Sequence, residues 1–150
     1  MTRTIDTGIR CASWTPLLLH LLAMERIKEE ELFEILESME QQFLYLYQSY
    51  VPKYRQSNWG VLQTTSILQN AAWFGECFCL EEMKRIAEWA KDELLYQLES
   101  QIYGDGSHWE QSMMYHIEVL NSVTTMLVFR KRAGVETSKR IEEILYGMYD

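Results

Sequence analysis

Apolar residues recur at helical spacing along almost the whole of this 150-residue chain. Three apolar stripes step by three and four residues, which places each stripe on one face of a long helix. They cover residues 32–50, 83–102 and 117–128. No segment convincingly alternates apolar and polar residues as a half-buried strand does, and only 7 Gly and 2 Pro interrupt the chain. The pattern therefore predicts an all-α protein with long elements and few turns.

Three further helices are predicted between and after these stripes, over residues 11–24, 60–74 and 137–149. Thr137 and Ser138 offer an N-cap to the last of them. The basic residues 130–132 favour a helix C-terminus at that point, because the helix dipole is negative there. Six helices joined by short connections pack as antiparallel neighbours, so we expect three helical hairpins.

Three tryptophans suggest that the hairpins repeat. Trp14, Trp59 and Trp109 are spaced by about 50 residues, and each is predicted near the start of the first helix of a hairpin. Hairpins stacked in one orientation form a solenoid or, if the curvature closes, an α/α toroid. In either case the first helices begin on the same side. We therefore expect Asn58 and Trp59 to lie near residues 108–116.

Residues 105–116 concentrate reactive side chains in a glycine turn and the helix start that follows. They include two His, a Glu, a Gln, a Tyr and a Trp. Helix starts attract anionic groups because their first N–H groups are unpaired and the dipole is positive there. A tyrosine in the first turn, here Tyr115, can act as a general acid or base when positive groups lower its pKa from about 10. The segment is therefore typical of the rim of an active site.

Each of these side chains also has a structural explanation. Tyr115 would serve equally as a core aromatic, and His116 as a local hydrogen-bonding partner. A glutamate such as Glu110 stabilises a helix start through the dipole alone. Ser107 and Ser112 would be caps, since neither stands in the Gly-x-Ser-x-Gly element of a serine hydrolase. Both interpretations of the segment stay open on the residues alone.

Asn58 follows a loop over residues 52–57. It would serve as a helix N-cap, or its amide would donate to a ligand carboxylate. Lys53 and Arg55 make this loop locally positive, although the chain carries a net charge of −8 and has a pI of about 4.9. That overall charge argues against a nucleic-acid partner, whereas a bound ligand responds to the local field of a cleft.

Several other classes are disfavoured by the composition. Cys11, Cys77 and Cys79 are expected to be buried, reduced thiols, since they lack the spacing of a zinc site. The three histidines lack a convincing ligand pattern as well, so neither a metal nor another cofactor is expected. The longest apolar run, residues 17–24, is too short to cross a bilayer. No signal sequence opens the chain, and its location is left open between cytoplasm and periplasm.

Three groups of residues, in the same order along the chain, resemble the heparinase II/III-like polysaccharide lyases. They are residues 4–10 with Trp14, the Ser-Asn-Trp-Gly run at 57–60, and the run at 105–112 with Tyr115 and His116. The specific part is the string Glu-Gln-Ser-x-x-Tyr-His at 110–116. The similarity covers most of residues 4–134 and lies in the catalytic α/α toroid of that family. It therefore implies a partial toroid of stacked antiparallel hairpins.

The resemblance implies β-elimination on a polysaccharide that contains uronic acid. Such lyases neutralise the C5 carboxylate, remove the C5 proton and protonate the departing C4 oxygen, and the neutralisation stabilises an enolate-like transition state. Asn58 matches the asparagine that neutralises the carboxylate. Tyr115 matches the tyrosine that acts as general acid and, in some members, also as base. The residues assigned to substrate contact, or to orienting the tyrosine, are Glu110, Gln111, His116, Trp59 and Arg55.

The chain departs from the family pattern at two places and in its length. Many members carry His directly after the Asn, where this chain has Trp59, and Pro is common in the gap filled here by Met113 and Met114. The first departure bears on the base or on the substrate epimer, or it marks a subfamily. Family toroids also contain further hairpins and a β-sandwich domain that supplies another catalytic His. We therefore expect residues 1–150 to form a single all-α domain, a fragment of a larger toroid without the β-sandwich.

Two functional hypotheses follow. In the first, the parent protein is a lyase that cleaves an acidic polysaccharide such as heparin, heparan sulfate or an alginate-like polymer, and the isolated chain carries half of the site and is inactive. In the second, the chain is a non-catalytic helical module that binds carbohydrate or a protein partner. On its own, the chain would expose apolar faces of its last helices, so self-association or a missing remainder of the toroid is expected.

Overall fold

The computed structural model describes residues 3–78 and 80–149 of the chain. Within these residues it contains six α-helices, two short 3-10 helices and no strand. The α-helices are α1 Thr4–Ala23, α2 Glu29–Gln48, α3 Asn58–Phe74, α4 Leu80–Gln101, α5 Met113–Arg132 and α6 Lys139–Tyr149. The 3-10 helices are Pro52–Gln56 and Gly75–Cys77. The prediction of an all-α protein with six main helices is therefore confirmed.

The start of α5 differs from the sequence prediction. The sequence places Trp109 and Glu110 at the start of this helix, but the helix begins at Met113. Gln111 has φ +50°, in the left-handed region, which interrupts a right-handed helix. The Trp109 N–H donates instead to the Gln101 carbonyl at 2.8 Å. A backbone contact with α4 thus keeps residues 109–111 in a turn ahead of α5, and the prediction was wrong there.

The tryptophans do not mark equivalent positions of the hairpins. α1 begins at Thr4 rather than at residue 11, so Trp14 lies in the middle of the helix. Trp59 is the second residue of α3, whereas Trp109 lies outside α5. The three hairpins therefore follow one another as predicted, but the prediction that the three tryptophans occupy equivalent positions in them was wrong.

α1 and α3 pack side by side and run parallel. Near their starts, Gly8 lies so close to Leu62 that an added Cβ would be 3.2 Å from the Leu62 carbonyl oxygen. Further along both helices, the Gln69 Nε2 donates to the Ala12 carbonyl at 2.9 Å. Residue numbers therefore rise together along the contact.

α5 packs against α3 in the same parallel sense. The hydroxyls of Thr65 and Ser122 are 2.6 Å apart, and further along the Trp73 Nε1 donates to the Phe129 carbonyl at 3.1 Å. A small groove is lined by residues of all three helices, with α3 in the middle. The first helices of the hairpins thus form one layer, and their N-termini lie on the same side, as predicted.

α2, α4 and α6 each return antiparallel to the preceding helix. Gln101, at the end of α4, reaches Ser57, which precedes α3, with its Nε2 3.3 Å from the Ser57 carbonyl oxygen. The His116 Nε2 near the start of α5 lies 3.0 Å from the Met148 carbonyl oxygen near the end of α6. Three antiparallel hairpins stacked in one orientation are the arrangement expected of consecutive hairpins in an α/α toroid.

The middle helix α3 is enclosed by its neighbours, and every residue from Gly60 to Asn70 is buried. Its polar side chains bond to neighbouring helices, as the Asn70 Nδ2 does to the Cys11 carbonyl at 3.1 Å. Such pairing is what allows polar groups to be buried at low cost. None of the described helices combines the length and the apolar character that crossing a bilayer needs.

The cysteine prediction is confirmed at one position and wrong at another. Cys11 is fully buried in the core, and burial raises the pKa of its thiol to about 12. Cys77 is exposed, because it ends the short 3-10 helix that leads to α4. Cys79 lies outside the described residues.

Candidate functional site

Asn58 is the first residue of the central helix. Ser57 is the N-cap, and its Oγ accepts a hydrogen bond from the Trp59 N–H at 3.2 Å, so the prediction that Asn58 caps the helix is not met. The Asn58 residue is 6% exposed, and its Oδ1 accepts from the Ser57 hydroxyl at 3.4 Å. Among the described residues this is the only hydrogen bond of the Asn58 side chain, so its Nδ2 has no acceptor there. An amide donor is therefore available to a ligand at this helix start.

Gly60 lets the 3-10 helix Pro52–Gln56 lie directly on the first turn of α3. A Cβ added at this glycine would be 2.2 Å from the Tyr54 carbonyl oxygen and 2.7 Å from the Gln97 Nε2. No side chain fits in that space. The Ser-Asn-Trp-Gly run thus combines a cap, an available amide, an aromatic and a close backbone contact.

Three polar residues of α4 form a buried row that faces this segment. Glu93, Gln97 and Gln101 follow one another at four-residue spacing, which aligns them on one helix face, and they are 4%, 0% and 0% exposed. Each of these three side chains forms hydrogen bonds with other residues. Gln97 accepts from the Thr64 hydroxyl at 2.9 Å and donates to the Tyr50 hydroxyl at 2.8 Å.

Glu93 binds Tyr50, which precedes the 3-10 helix Pro52–Gln56, and Arg55, which lies within it. It accepts from the Tyr50 hydroxyl at 2.7 Å and, in a bidentate pair, from Nε and Nη2 of Arg55 at 2.8 and 2.9 Å. Burial and the Glu93 carboxylate raise the pKa of Tyr50. The Arg55 guanidinium also lies over the Tyr96 ring, 4.8 Å from its centroid. Arg55 therefore neutralises a buried carboxylate, and its charge is largely compensated.

Gln101 joins the Asn58 segment to the reactive turn. Its Nε2 donates to the carbonyls of Arg55 and Ser57, at 2.8 and 3.3 Å, and its Oε1 lies 3.0 Å from the His108 Nε2. The His108 Nδ1 accepts from the Glu110 N–H at 3.3 Å. Because Nδ1 accepts, the Nε2 carries the proton and donates to Gln101.

His108 is a structural histidine in this arrangement. The residue is 2% exposed, and burial followed by the charge of His116 lowers its pKa. The neutral ring has one donor and one acceptor, and both are used. Sequence reasoning gave His108 no specific role, and its partner Gln101 was not a candidate at all, since a glutamine on a helix carries no recognisable signal.

The glycine turn that precedes His108 is held by local hydrogen bonds and by α6. Asp105 accepts from the backbone N–H and the hydroxyl of Ser107, at 3.0 and 2.7 Å, which lowers the pKa of Asp105. Gly106 has φ +81°, and a Cβ there would be 1.8 Å from the Gly147 carbonyl oxygen. The contacts of these residues are therefore structural and hold the turn in place.

Tyr115 lies in the first turn of α5, as predicted, and is 41% exposed. Its hydroxyl has no hydrogen-bond partner among the described residues. His116 is half-buried and contacts the Met148 carbonyl at 3.0 Å. Glu110 and Gln111 stand in the turn ahead of the helix. No hydrogen bond joins Tyr115 to Asn58; the two are related by the parallel packing of α3 and α5, which places both at the same end of the layer.

A large cleft lies beside this end, between α1 and α2. Its volume is about 1110 Å³, and Tyr54 and Trp59 contribute to its wall. Arg10 and Trp14 line it from α1, together with residues of the C-terminal half of α2. The cleft was not predicted from the sequence, because Arg10 and Trp14 were considered there only as part of a family pattern. Their helical spacing with Arg3 and Thr7 was the available signal.

A comparison with family models places the chain among known proteins. Within the described residues, no group of three His, Cys, Asp or Glu side chains is arranged to hold a metal ion. No curated protein and no solved structure is significantly similar to the chain. The model of the family described as Heparinase II/III N-terminus matches residues 1–141. Since that match spans most of the 150 residues, the chain belongs to the heparinase II/III N-terminus family.

Proposed function

We propose that the chain provides the Asn58 and Tyr115 part of a polysaccharide lyase site that cleaves a uronic-acid-containing polymer by β-elimination. The observation that carries the proposal is the Nδ2 of Asn58, a donor without a partner among the described residues at the start of a buried helix. Family membership supports the reaction class. The parallel packing of α3 and α5 supports the pairing with Tyr115.

The proposed chemistry assigns one group to each charge that develops. The Asn58 amide donates to the C5 carboxylate, which stabilises the negative charge as the C5 proton leaves. The electron pair of the C5–H bond forms the C4–C5 double bond, and the C4–O bond breaks. The exposed Tyr115 hydroxyl donates its proton to the departing C4 oxygen. The same tyrosine, or a group outside this chain, takes the C5 proton.

The remaining candidates are proposed to contact or orient the substrate. Trp59 lines the cleft and offers an aromatic surface where many family members carry histidine. Glu110 and Gln111 stand in the turn just ahead of Tyr115, and His116 follows it on α5. Arg55 retains exposed surface but is paired with Glu93, so we propose that it acts chiefly by holding the 3-10 helix.

The substrate class is an acidic polysaccharide, with heparin, heparan sulfate and alginate-like polymers as the candidates. The full activity is proposed for a longer parent protein that adds hairpins and a β-sandwich, and the isolated chain is proposed to be inactive. The exposed α5 side chains Met113 and Met114, each 74% exposed, fit such an additional contact or self-association.

The decisive experiment measures elimination by the parent protein. It is incubated with heparin, heparan sulfate, alginate and hyaluronan, and the unsaturated uronate product is followed by its ultraviolet absorbance. Product that is lost in both Asn58→Ala and Tyr115→Phe supports the proposal. Undiminished turnover in Tyr115→Phe removes Tyr115 as the acid.

A non-catalytic carbohydrate-binding module is the alternative, and the large cleft beside Trp59 favours it. The same experiment separates the two functions. Binding of an acidic oligosaccharide by the parent protein, without any unsaturated product from the four polymers, would favour the binding module.

A further inference from the structure

The cleft between α1 and α2 has a charge opposite to that of the whole chain. The protein carries a net charge of −8, yet the described side chains that line the cleft include Arg3 and Arg10 and no carboxylate. A cleft lined by one sign of charge concentrates ligands of the opposite sign. The lining therefore selects for an anionic ligand.

The two arginines differ in how far their charge is already compensated. Arg3 forms a bidentate pair with Asp6, at 2.9 and 3.1 Å. Arg10 contacts neutral acceptors: its Nε donates to the Gln42 Oε1 at 2.7 Å, and its Nη2 reaches the Thr7 hydroxyl at 3.5 Å. Neutral acceptors orient a guanidinium without cancelling its charge. Among the described residues that line the cleft, Arg10 is thus the cation whose charge no carboxylate compensates.

Arg10 is also held in place before any ligand binds. The Gln42 Nε2 donates to the Ser38 carbonyl at 3.1 Å and to the Ser38 hydroxyl at 3.3 Å. This fixes the amide so that Oε1 faces Arg10. A guanidinium oriented in this way keeps its remaining donors for a planar anion such as a carboxylate, and it loses little entropy on binding.

The rest of the lining suits a sugar ring. Trp14, Tyr54 and Trp59 offer aromatic surface, and the Tyr54 and Trp59 ring centroids are 6.1 Å apart. The C–H faces of a pyranose pack on such rings, while its hydroxyls need amide and hydroxyl partners. Ser38, Gln41 and Ser49 also line the cleft and offer such partners.

We infer that this cleft is a subsite for an acidic sugar unit that is not itself cleaved, and that Arg10 recognises its anionic group. The inference rests on the proposed function. The described lining comes from α1, α2, the 3-10 helix Pro52–Gln56 and Trp59, whereas Tyr115 lies on α5, on the other side of α3. Because α1, α3 and α5 start on one side, an extended polymer crossing that side meets the cleft first, then Asn58, then Tyr115.

The test is equilibrium binding to the 150-residue chain, which requires no catalysis. Isothermal titration calorimetry uses three probes: an alginate tetrasaccharide, its carboxyl-reduced neutral counterpart, and a heparin tetrasaccharide. Arg10→Gln is expected to weaken binding of an acidic probe by about tenfold, the loss of roughly one charge-assisted hydrogen bond. Arg10→Lys should keep part of the preference for acid over neutral probes. Arg26→Gln, on an exposed arginine just beyond α1, removes the same charge as a control and should bind as the unchanged chain does.

The outcomes decide the inference separately from the lyase proposal. Tight binding of the alginate probe shows carboxylate recognition, and binding confined to the heparin probe shows sulfate recognition; either supports the subsite if Arg10→Gln weakens it. No binding of either acidic probe, equal binding of the neutral probe, or undiminished binding by Arg10→Gln overturns it. If Asn58→Ala and Tyr115→Phe abolish elimination by the parent while Arg10→Gln leaves binding unchanged, the lyase proposal stands and the subsite fails.

Discussion

The His108 Nε2 lies 3.0 Å from the Gln101 Oε1, inside the protein. This hydrogen bond connects the turn before Tyr115 to the segment that carries Asn58, because the same Gln101 side chain donates to the Ser57 carbonyl at 3.3 Å. Two parts of the candidate site that are far apart in sequence are therefore held by one buried glutamine. The bond is the structural reason why the motif at 105–116 and the Asn58 run belong together.

Replacing the proposed proton donor should remove elimination without unfolding the protein. Tyr115→Phe in the parent protein is expected to lower the elimination rate by about 10²–10⁴-fold, the range for losing a general acid. Because Tyr115 is exposed, the melting temperature should hardly change. Tyr146→Phe, at another exposed helical tyrosine, is the matched control and should keep full activity. A rate for Tyr115→Phe equal to that of the control would contradict the assignment.

Removing the Gln101 amide should destabilise the fold. Gln101→Leu leaves the buried His108 Nε2–H without its partner, at a cost of about 1–3 kcal/mol for a buried unsatisfied group. The Arg55 and Ser57 carbonyls keep their bonds from Ser100 and Gly60. Urea denaturation measures the change in the free energy of unfolding. Gln48→Leu, at an exposed glutamine at the end of α2, should be nearly neutral. Equal midpoints for the two variants would show that the Gln101 bonds contribute nothing.

Stability should fall as the pH is lowered through the titration range of His108. Burial and the charge of His116 lower the pKa of His108 below its ordinary value of 6.5, so the unfolded chain binds a proton more readily than the folded one. The contribution of neutral His108 is therefore present above pH 6.5 and is lost as the pH falls towards the folded-state pKa. Urea midpoints measured across this range should decrease. His20→Gln, at an exposed histidine, should show the same slope, whereas His108→Gln should reduce it; an unchanged slope in His108→Gln would refute this account.

A methyl group at Gly60 should displace the segment that carries Asn58. In Gly60→Ala the new Cβ would meet the Tyr54 carbonyl oxygen at 2.2 Å, so the 3-10 helix must move, at a cost of about 1–3 kcal/mol for overpacking. Gly75→Ala has nothing within 4 Å of its Cβ and serves as the control. Thermal unfolding of both variants compares them. A Gly60→Ala protein as stable as the control would mean that the close contact with Tyr54 is absent.

Most of the architecture could be predicted because helical periodicity is a local property of the sequence. The stripes at 32–50 and 83–102 correspond closely to α2 and α4, and short connections are sufficient to predict hairpins. The start of α5 was missed because Gln111 adopts φ +50° and Trp109 bonds to Gln101, and neither effect leaves a trace in the spacing of apolar residues.

The sequence by itself determined the helices, their order and the family pattern that singles out Asn58 and Tyr115. Only the tertiary structure decided which of the polar side chains are available. Arg55 is paired with Glu93, whereas Arg10 contacts a neutral acceptor in a cleft, so its charge is not compensated. The sequence alone does not distinguish these two arginines. The physical reason is that residues three and four positions apart share one face of a helix, so the face on which a side chain lies follows from the local sequence. Its charge compensation and burial depend instead on residues brought close by packing, here 32 positions away for Gln42 and 38 for Glu93.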